Sequence, residues 1–148
     1  MKAVIQRVEK AHVSVDNKIK SSINSGYVIL LGIHKEDSNQ DSNWIIKKIL
    51  NLRLFNDDTN KPNLNIMQTE GQLLVISQFT LLADCKKGTR PSYSNALNPL
   101  EAQNLYTEFV TQLKAHYNNV QTGEFQAHMK VSLINDGPIT IILDSKNK

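Results

Sequence analysis

The chain is 148 residues long, which suits a single domain with one core of moderate size. Hydrophobic residues make up 40% and charged residues 21%, which excludes a disordered chain, and the net charge of +3 favours a nucleic-acid partner only slightly. The lone cysteine, Cys85, excludes an intramolecular disulfide and agrees with a reducing, cytoplasmic setting. The longest uncharged apolar run, residues 27–33, is far too short to span a bilayer, so we expect no membrane association.

The first part of the chain favours short strands separated by turn residues. Asp16-Asn17 is a turn signal ahead of a β-forming run, and Ser25-Gly26 precedes the apolar run 27–33. That apolar run is typical of a central, buried strand. The strands predicted here are residues 2–8, 12–15, 18–23 and 27–33.

Two segments change to helical spacing. The first has apolar residues on one helical face between positions 44 and 52, after a candidate N-cap at Ser38 or Asp41. The second is clearer, because Asn98 is a good N-cap, Pro99 fits the first helical position and Glu101 lies where a capping box needs a carboxylate. We expect it to end near residues 117–119. Its apolar stripe consists of Ala102, Leu105, Tyr106, Phe109 and Leu113.

The remaining segments favour strands. We expect a short strand at residues 54–55, two strands at 64–67 and 72–78 paired across a turn at Glu70-Gly71, and three more at 120–125, 128–134 and 139–143. Many strands with two main helices predict an α+β fold with a mostly antiparallel sheet or a partly open barrel. No linker or composition break divides the chain, so one domain covers residues 1–148.

No motif for a metal or a nucleotide is present. The four histidines are scattered and lack the spacing of a metalloprotease pair, and a single cysteine cannot build a zinc cluster. Glycine-rich phosphate loops and the G-x-S-x-G elbow are also missing. We therefore predict no metal site and no cofactor.

One candidate active segment is Ser77-Gln78-Phe79-Thr80, directly after the apolar run 73–76. Thr80 is the natural candidate nucleophile, but the sequence places no base beside it, and a threonine that simply closes a strand explains the spacing better. A second interpretation uses the backbone N–H groups of Gln78, Phe79 and Thr80 as donors to an oxyanion. We call residues 77–80 the strip.

A second candidate segment is Gly137-Pro138, between two β-forming runs. Taken alone, it is best explained as a tight turn that joins two antiparallel strands. A third candidate is the cluster of Lys86, Lys87 and Arg90, which could contact phosphates. From composition alone, a solvated turn is the better interpretation of that cluster.

Residues 77–81 (SQFTL) and 135–140 (NDGPIT) carry a family resemblance, and three longer motifs fit it as well. They are the opening residues 1–8 (MKAVIQRV), residues 87–92 (KGTRPS) and residues 131–138 (VSLINDGP). Together they make the chain, from Met1 to about Ser145, resemble the D-aminoacyl-tRNA deacylases. That resemblance implies a homodimeric cytoplasmic hydrolase, without a cofactor, that cleaves the ester of D-aminoacyl-tRNA and of glycyl-tRNA mischarged on tRNA-Ala.

The resemblance also implies roles for individual residues. Ser77, Gln78, Phe79 and Thr80 would position the ester and its oxyanion, with Thr80 as a helper. The Gly137-Pro138 bond would be cis and would reach into the partner subunit's pocket, where its carbonyls leave no room for an L side chain. Arg7 would support that loop, and a solvated arginine on the strand face is the alternative. For the tRNA end, Phe79 and Met129 are candidates to line a pocket for the terminal adenine, with a core side chain as an equally good interpretation of Met129. Lys86, Lys87 and Arg90 are the candidates for contact with acceptor-stem phosphates.

Two alternatives stay open. One is a proofreading deacylase on the same scaffold that removes a mischarged L-residue, against which the intact Arg7 and Gly137-Pro138 argue. The other is a non-catalytic nucleic-acid-binding module, against which the weak basicity and sparse aromatic residues argue.

Overall fold

The computed structural model describes all 148 residues, with two α-helices and eight strands. The elements are β1 (Lys2–Val15), β2 (Lys18–Ile23), β3 (Gly26–Gly32), α1 (Asn39–Asn51), β4 (Arg53–Asn56), β5 (Pro62–Asn65), β6 (Gln72–Ser77), a 3-10 turn (Phe79–Leu82), α2 (Pro99–His116), β7 (Val120–Thr122) and β8 (Met129–Asp144). The predicted α+β class with two main helices is confirmed.

The main sheet curls into a partly open barrel around the long strand β1. The first half of β1 pairs with β3, its second half pairs with β2, and β8 runs antiparallel along nearly its whole length. On the other side of β3, strands β6 and β7 add in parallel. The sheet is therefore mostly antiparallel, as predicted, with a parallel portion that carries the strip at its end.

Three strand predictions are wrong in their pairing or extent. Residues 2–8 and 12–15 belong to one continuous strand, β1. Strand β5 pairs with β4 rather than with the strand at 72–77, which instead pairs with β3 and β7. The segments before and after Gly137-Pro138 are both parts of β8 and pair with β1, not with each other, so the tight-turn interpretation is also wrong.

Both helices begin at capping residues that the sequence predicts. Ser38 caps α1, and the Asp41 carboxylate accepts from the Ser38 backbone N–H at 3.0 Å. Asn98 caps α2 by accepting from the Glu101 backbone N–H at 3.1 Å, with Pro99 at the first helical position. Neither helix has the length and apolar character needed to cross a membrane.

The helices cover one face of the sheet and hold β6 in place. Ile45 and Ile49 of α1 and Phe109 of α2 are completely buried in the larger core cluster. Tyr106, also from the α2 stripe, donates its hydroxyl to the Val75 carbonyl at 2.9 Å, and burial raises the pKa of this phenol. Helix α2 is thereby fixed to β6 two residues before the strip begins.

Candidate active site

The strip begins where β6 ends and bends at once into the 3-10 turn. Ser77 is the last residue of β6, and the turn starts at Phe79. The Gln78 backbone N–H donates to the Leu31 carbonyl at 2.8 Å, so it belongs to the sheet and is not a free donor. Our prediction that Gln78 supplies an oxyanion donor from its backbone is corrected accordingly. The N–H groups of Phe79 and Thr80 head the turn, where no intrahelical acceptor exists for them.

The side chain of Thr80 is held by its neighbour Gln78. The Gln78 amide Nε2 donates to Thr80 Oγ1. No carboxylate or imidazole is hydrogen-bonded to that hydroxyl, so no general base is in place to take its proton. This arrangement fits a threonine that positions or donates better than a threonine that attacks.

An apolar cleft of about 790 Å³ opens beside the strip. Phe79 and Met129, both predicted to line one pocket, do line this cleft, and Phe79 leaves 58% of its surface exposed at the mouth. Tyr93 also lines it and makes an edge-on contact with Phe79, with ring centroids 5.0 Å apart. Tyr93 is not among the site residues predicted from the sequence. The available signal was an aromatic residue in an otherwise polar loop after Pro91-Ser92.

The Gly137-Pro138 segment is a bulge in β8. Asn135 lies opposite Val8 and Thr140 lies opposite Gln6, so residues 136–139 face Arg7 alone. The peptide bond between Gly137 and Pro138 is cis, and both residues are exposed. The bulge therefore forms a short, mostly exposed loop, which we call the Gly-Pro loop, residues 136–139.

Arg7 lies beneath the Gly-Pro loop and is only 8% exposed. Its Nε donates to the Asp136 carbonyl at 3.2 Å and lies 3.1 Å from the Asp136 carboxylate. Its Nη1 donates to the Leu54 carbonyl at 2.5 Å, which ties the loop to β4. The structure thus places Arg7 in direct contact with the loop.

Within one subunit the Gly-Pro loop and the strip are far apart. Arg7, which lies opposite the loop, is paired with Tyr27 of β3, whereas Ser77 is paired with Leu31 of the same strand. Tyr27 and Leu31 are four residues apart, which is about 13 Å along a strand. Neither Gly137 nor Pro138 lines the apolar cleft. Two of the predicted site segments are therefore separate in the monomer.

The basic cluster lies on a loop pinned at its base. Asp84 and Ser92 exchange two backbone hydrogen bonds of 2.8 and 2.9 Å, and the residues between them, 85–91, are exposed. This loop includes the three predicted phosphate contacts, Lys86, Lys87 and Arg90. Asp84 follows the 3-10 turn by two residues, so the loop adjoins the strip. No three His, Cys, Asp or Glu side chains converge anywhere in the chain as metal ligands.

A family model described as D-Tyr-tRNA(Tyr) deacylase matches residues 4–144. The chain belongs to this family. The match includes the strip, the Gly-Pro loop and the loop of residues 85–91 that carries the basic cluster, which we call the basic loop. Every predicted site segment therefore lies inside the match.

Similar proteins support the assignment to the deacylase family. Proteins named D-aminoacyl-tRNA deacylase from Thermosipho africanus and Clostridioides difficile are 51% and 52% identical, over 99% and 98% of this chain and 98% and 97% of their own. A solved structure described as c-Myc DNA Unwinding Element Binding Protein is 39% identical with a TM-score of 0.93, covering 97% of this chain and 98% of its own. A probable eukaryotic D-amino acid tRNA deacylase, 14% identical with a TM-score of 0.84 over 96% and 97%, shares the fold.

Proposed function

We propose that this protein is a cytoplasmic homodimeric hydrolase that cleaves the ester of D-aminoacyl-tRNA and of glycyl-tRNA mischarged on tRNA-Ala. The observation that carries the proposal is the apolar cleft beside the two backbone donors of Phe79 and Thr80, in a chain of the deacylase family. The cleft would hold the end of the tRNA, and the donors would face the ester.

Catalysis rests on positioning and on stabilisation of charge. Hydroxide or water attack on the ester carbonyl places negative charge on its oxygen, and preorganised N–H groups lower the energy of that state. The Phe79 and Thr80 N–H groups have this role, and the neighbouring ribose hydroxyl of the substrate assists. Thr80 Oγ1 already accepts from Gln78, so its own proton remains available to donate.

The tRNA end is bound by stacking and by charge. The ring of Phe79, set edge-on against Tyr93, and the side chain of Met129 give the terminal adenine an apolar surface to lie on. Lys86, Lys87 and Arg90 on the adjoining exposed loop contact acceptor-stem phosphates, which position the substrate without reading its sequence.

Chirality is checked by the Gly-Pro loop of the partner subunit. The loop is exposed and is offset from its own strip by about 13 Å along the strand direction, so it is available to enter the other subunit's site. Gly137 has φ of +129°, which glycine adopts without penalty. Backbone atoms placed against the substrate's α-carbon exclude an L side chain, whereas a D side chain or the hydrogen of glycine is accepted.

A three-substrate assay tests this proposal. D-tyrosyl-tRNA and glycyl-tRNA-Ala should lose their amino acid within minutes, while L-tyrosyl-tRNA stays intact. Preferred loss of an L-residue would instead support the proofreading alternative. Binding without cleavage of any substrate would support a nucleic-acid-binding module.

A further inference from the structure

The Gly-Pro loop has no ladder partners of its own. Four residues, 136–139, lie opposite a single residue of β1, so the regular sheet hydrogen bonds stop at Asn135 and resume at Thr140. Gly137 and Pro138 are also exposed. Other contacts must therefore hold the loop, because an exposed glycine-containing bulge is not fixed by its own backbone.

The Asn135 side chain links the two ends of the loop by hydrogen bonds. Its Oδ1 accepts from the Ile139 backbone N–H at 2.9 Å, and its Nδ2 donates to Thr140 Oγ1 at 3.1 Å and more weakly to the Ile139 carbonyl at 3.4 Å. The amide thus pairs with Ile139 as a peptide group would, across the four residues of the bulge. Gln6 Nε2 donates to the same Thr140 hydroxyl at 3.2 Å and extends the contact to β1.

The two ends of the loop are held by different residues. Arg7 holds the beginning through the Asp136 carbonyl and carboxylate. Asn135 holds the end through Ile139 and Thr140. Gly137 lies between these two attachments, so a change at either one moves it.

We propose that Asn135 is a positioning residue for selectivity, whose amide fixes the Gly-Pro loop and thereby sets the preference for D- over L-residues. The inference rests on the proposed function. Exclusion of an L side chain requires the loop to stay within a fraction of an ångström of its place, and such accuracy comes from supporting hydrogen bonds. Asn135 does not itself meet the substrate in this account.

Three variants and two measurements test the inference. Asn135→Leu keeps the size of the side chain and removes its hydrogen bonds, Asn135→Asp keeps the acceptor for Ile139, and Ser132→Ala is the control on the same strand outside the loop. The measurements are the amide hydrogen-exchange rate of Ile139 and the ratio of D- to L-tyrosyl-tRNA cleavage rates. Exchange reports on the loop without any need for activity.

In Asn135→Leu we expect Ile139 exchange to rise and the D-to-L ratio to fall, each about tenfold or more, as the loss of one or two hydrogen bonds implies. Asn135→Asp should show smaller changes in both, and it carries the test if Asn135→Leu fails to fold. Ser132→Ala should match the wild type. Unchanged exchange, or faster exchange with an unchanged ratio, overturns the inference. A wild type that cleaves neither substrate overturns the proposed function and the selectivity role, while exchange still decides whether Asn135 holds the loop.

Discussion

At the scale of single residues, Thr80 decides between two mechanisms. Its hydroxyl accepts from the Gln78 amide and has no base, so Thr80→Ala should remove one weak helper and slow single-turnover cleavage by about tenfold or less. Phe79→Pro, which deletes one backbone donor and the ring, should cost about a hundredfold or more. Near-total loss in Thr80→Ala with tRNA binding intact would identify a nucleophile and refute the backbone mechanism.

Gly137 is the second residue whose replacement is informative. A Cβ at this position would lie 2.8 Å from Ile139 Cγ1 and 3.0 Å from its backbone nitrogen, at a φ of +129° that L-residues rarely adopt. Gly137→Ala must therefore displace the Gly-Pro loop, and a shift of about 1 Å can cost a hundredfold in rate. We expect D-tyrosyl-tRNA cleavage to fall by that order and any residual activity to be less selective. Full rate and full selectivity in a folded variant would place the chirality check elsewhere.

At the scale of elements, the salt dependence of tRNA binding tests the role of the basic loop. Replacing Lys86, Lys87 and Arg90 by Gln should weaken tRNA binding and reduce the slope of log K against log[salt] by about 0.7–0.9 per lost phosphate contact. A control triple on other exposed surfaces should leave the slope nearly unchanged; we suggest Lys10, Lys18 and Lys47. Equal slopes for the basic-loop variant and the wild type would instead support the interpretation of the cluster as a solvated turn.

Local chemistry made the helices predictable from the sequence, whereas strand pairing and the bulge in β8 could not be predicted. The starts of α1 and α2 depend on capping residues within four positions of each other, such as Ser38 with Asp41, and these are readable from sequence. The partner of β5 depends on a contact that no local pattern encodes. A Gly-Pro step looks the same in a turn and in a bulge, so only the long register of β1 against β8 distinguishes them.

The candidate site was predictable to a similar degree. The strip, Arg7 and Met129 could be proposed from the sequence because the family motifs contain or adjoin them. The hydrogen bond from the Gln78 N–H to the Leu31 carbonyl could not be predicted, because the two residues are 47 positions apart in the chain and meet only through the parallel pairing of β3 with β6. Tyr93 was missed because its loop has no periodic pattern to mark it.

At the scale of the whole molecule, the site is proposed to need two subunits. Light scattering should give about twice the 16.7 kDa chain mass, as expected for a C2 dimer.

Two inactive variants should also complement each other in a mixed dimer. A Gly137→Ala subunit retains an intact strip, and a Phe79→Pro subunit retains an intact Gly-Pro loop. Co-expressed in equal amounts, the two inactive variants should recover about a quarter of wild-type activity, since half of the dimers carry one intact composite site. No recovery in confirmed mixed dimers would contradict a loop that acts across subunits.

The most direct test of the central claim is single-turnover cleavage of D- and L-tyrosyl-tRNA that differ only at the α-carbon. Exclusion by backbone predicts that D-tyrosine is released at least about a hundredfold faster, because a steric clash in the site adds several kcal/mol to the barrier for the L-substrate. Comparable rates for the two substrates, or no release of either, would contradict the account.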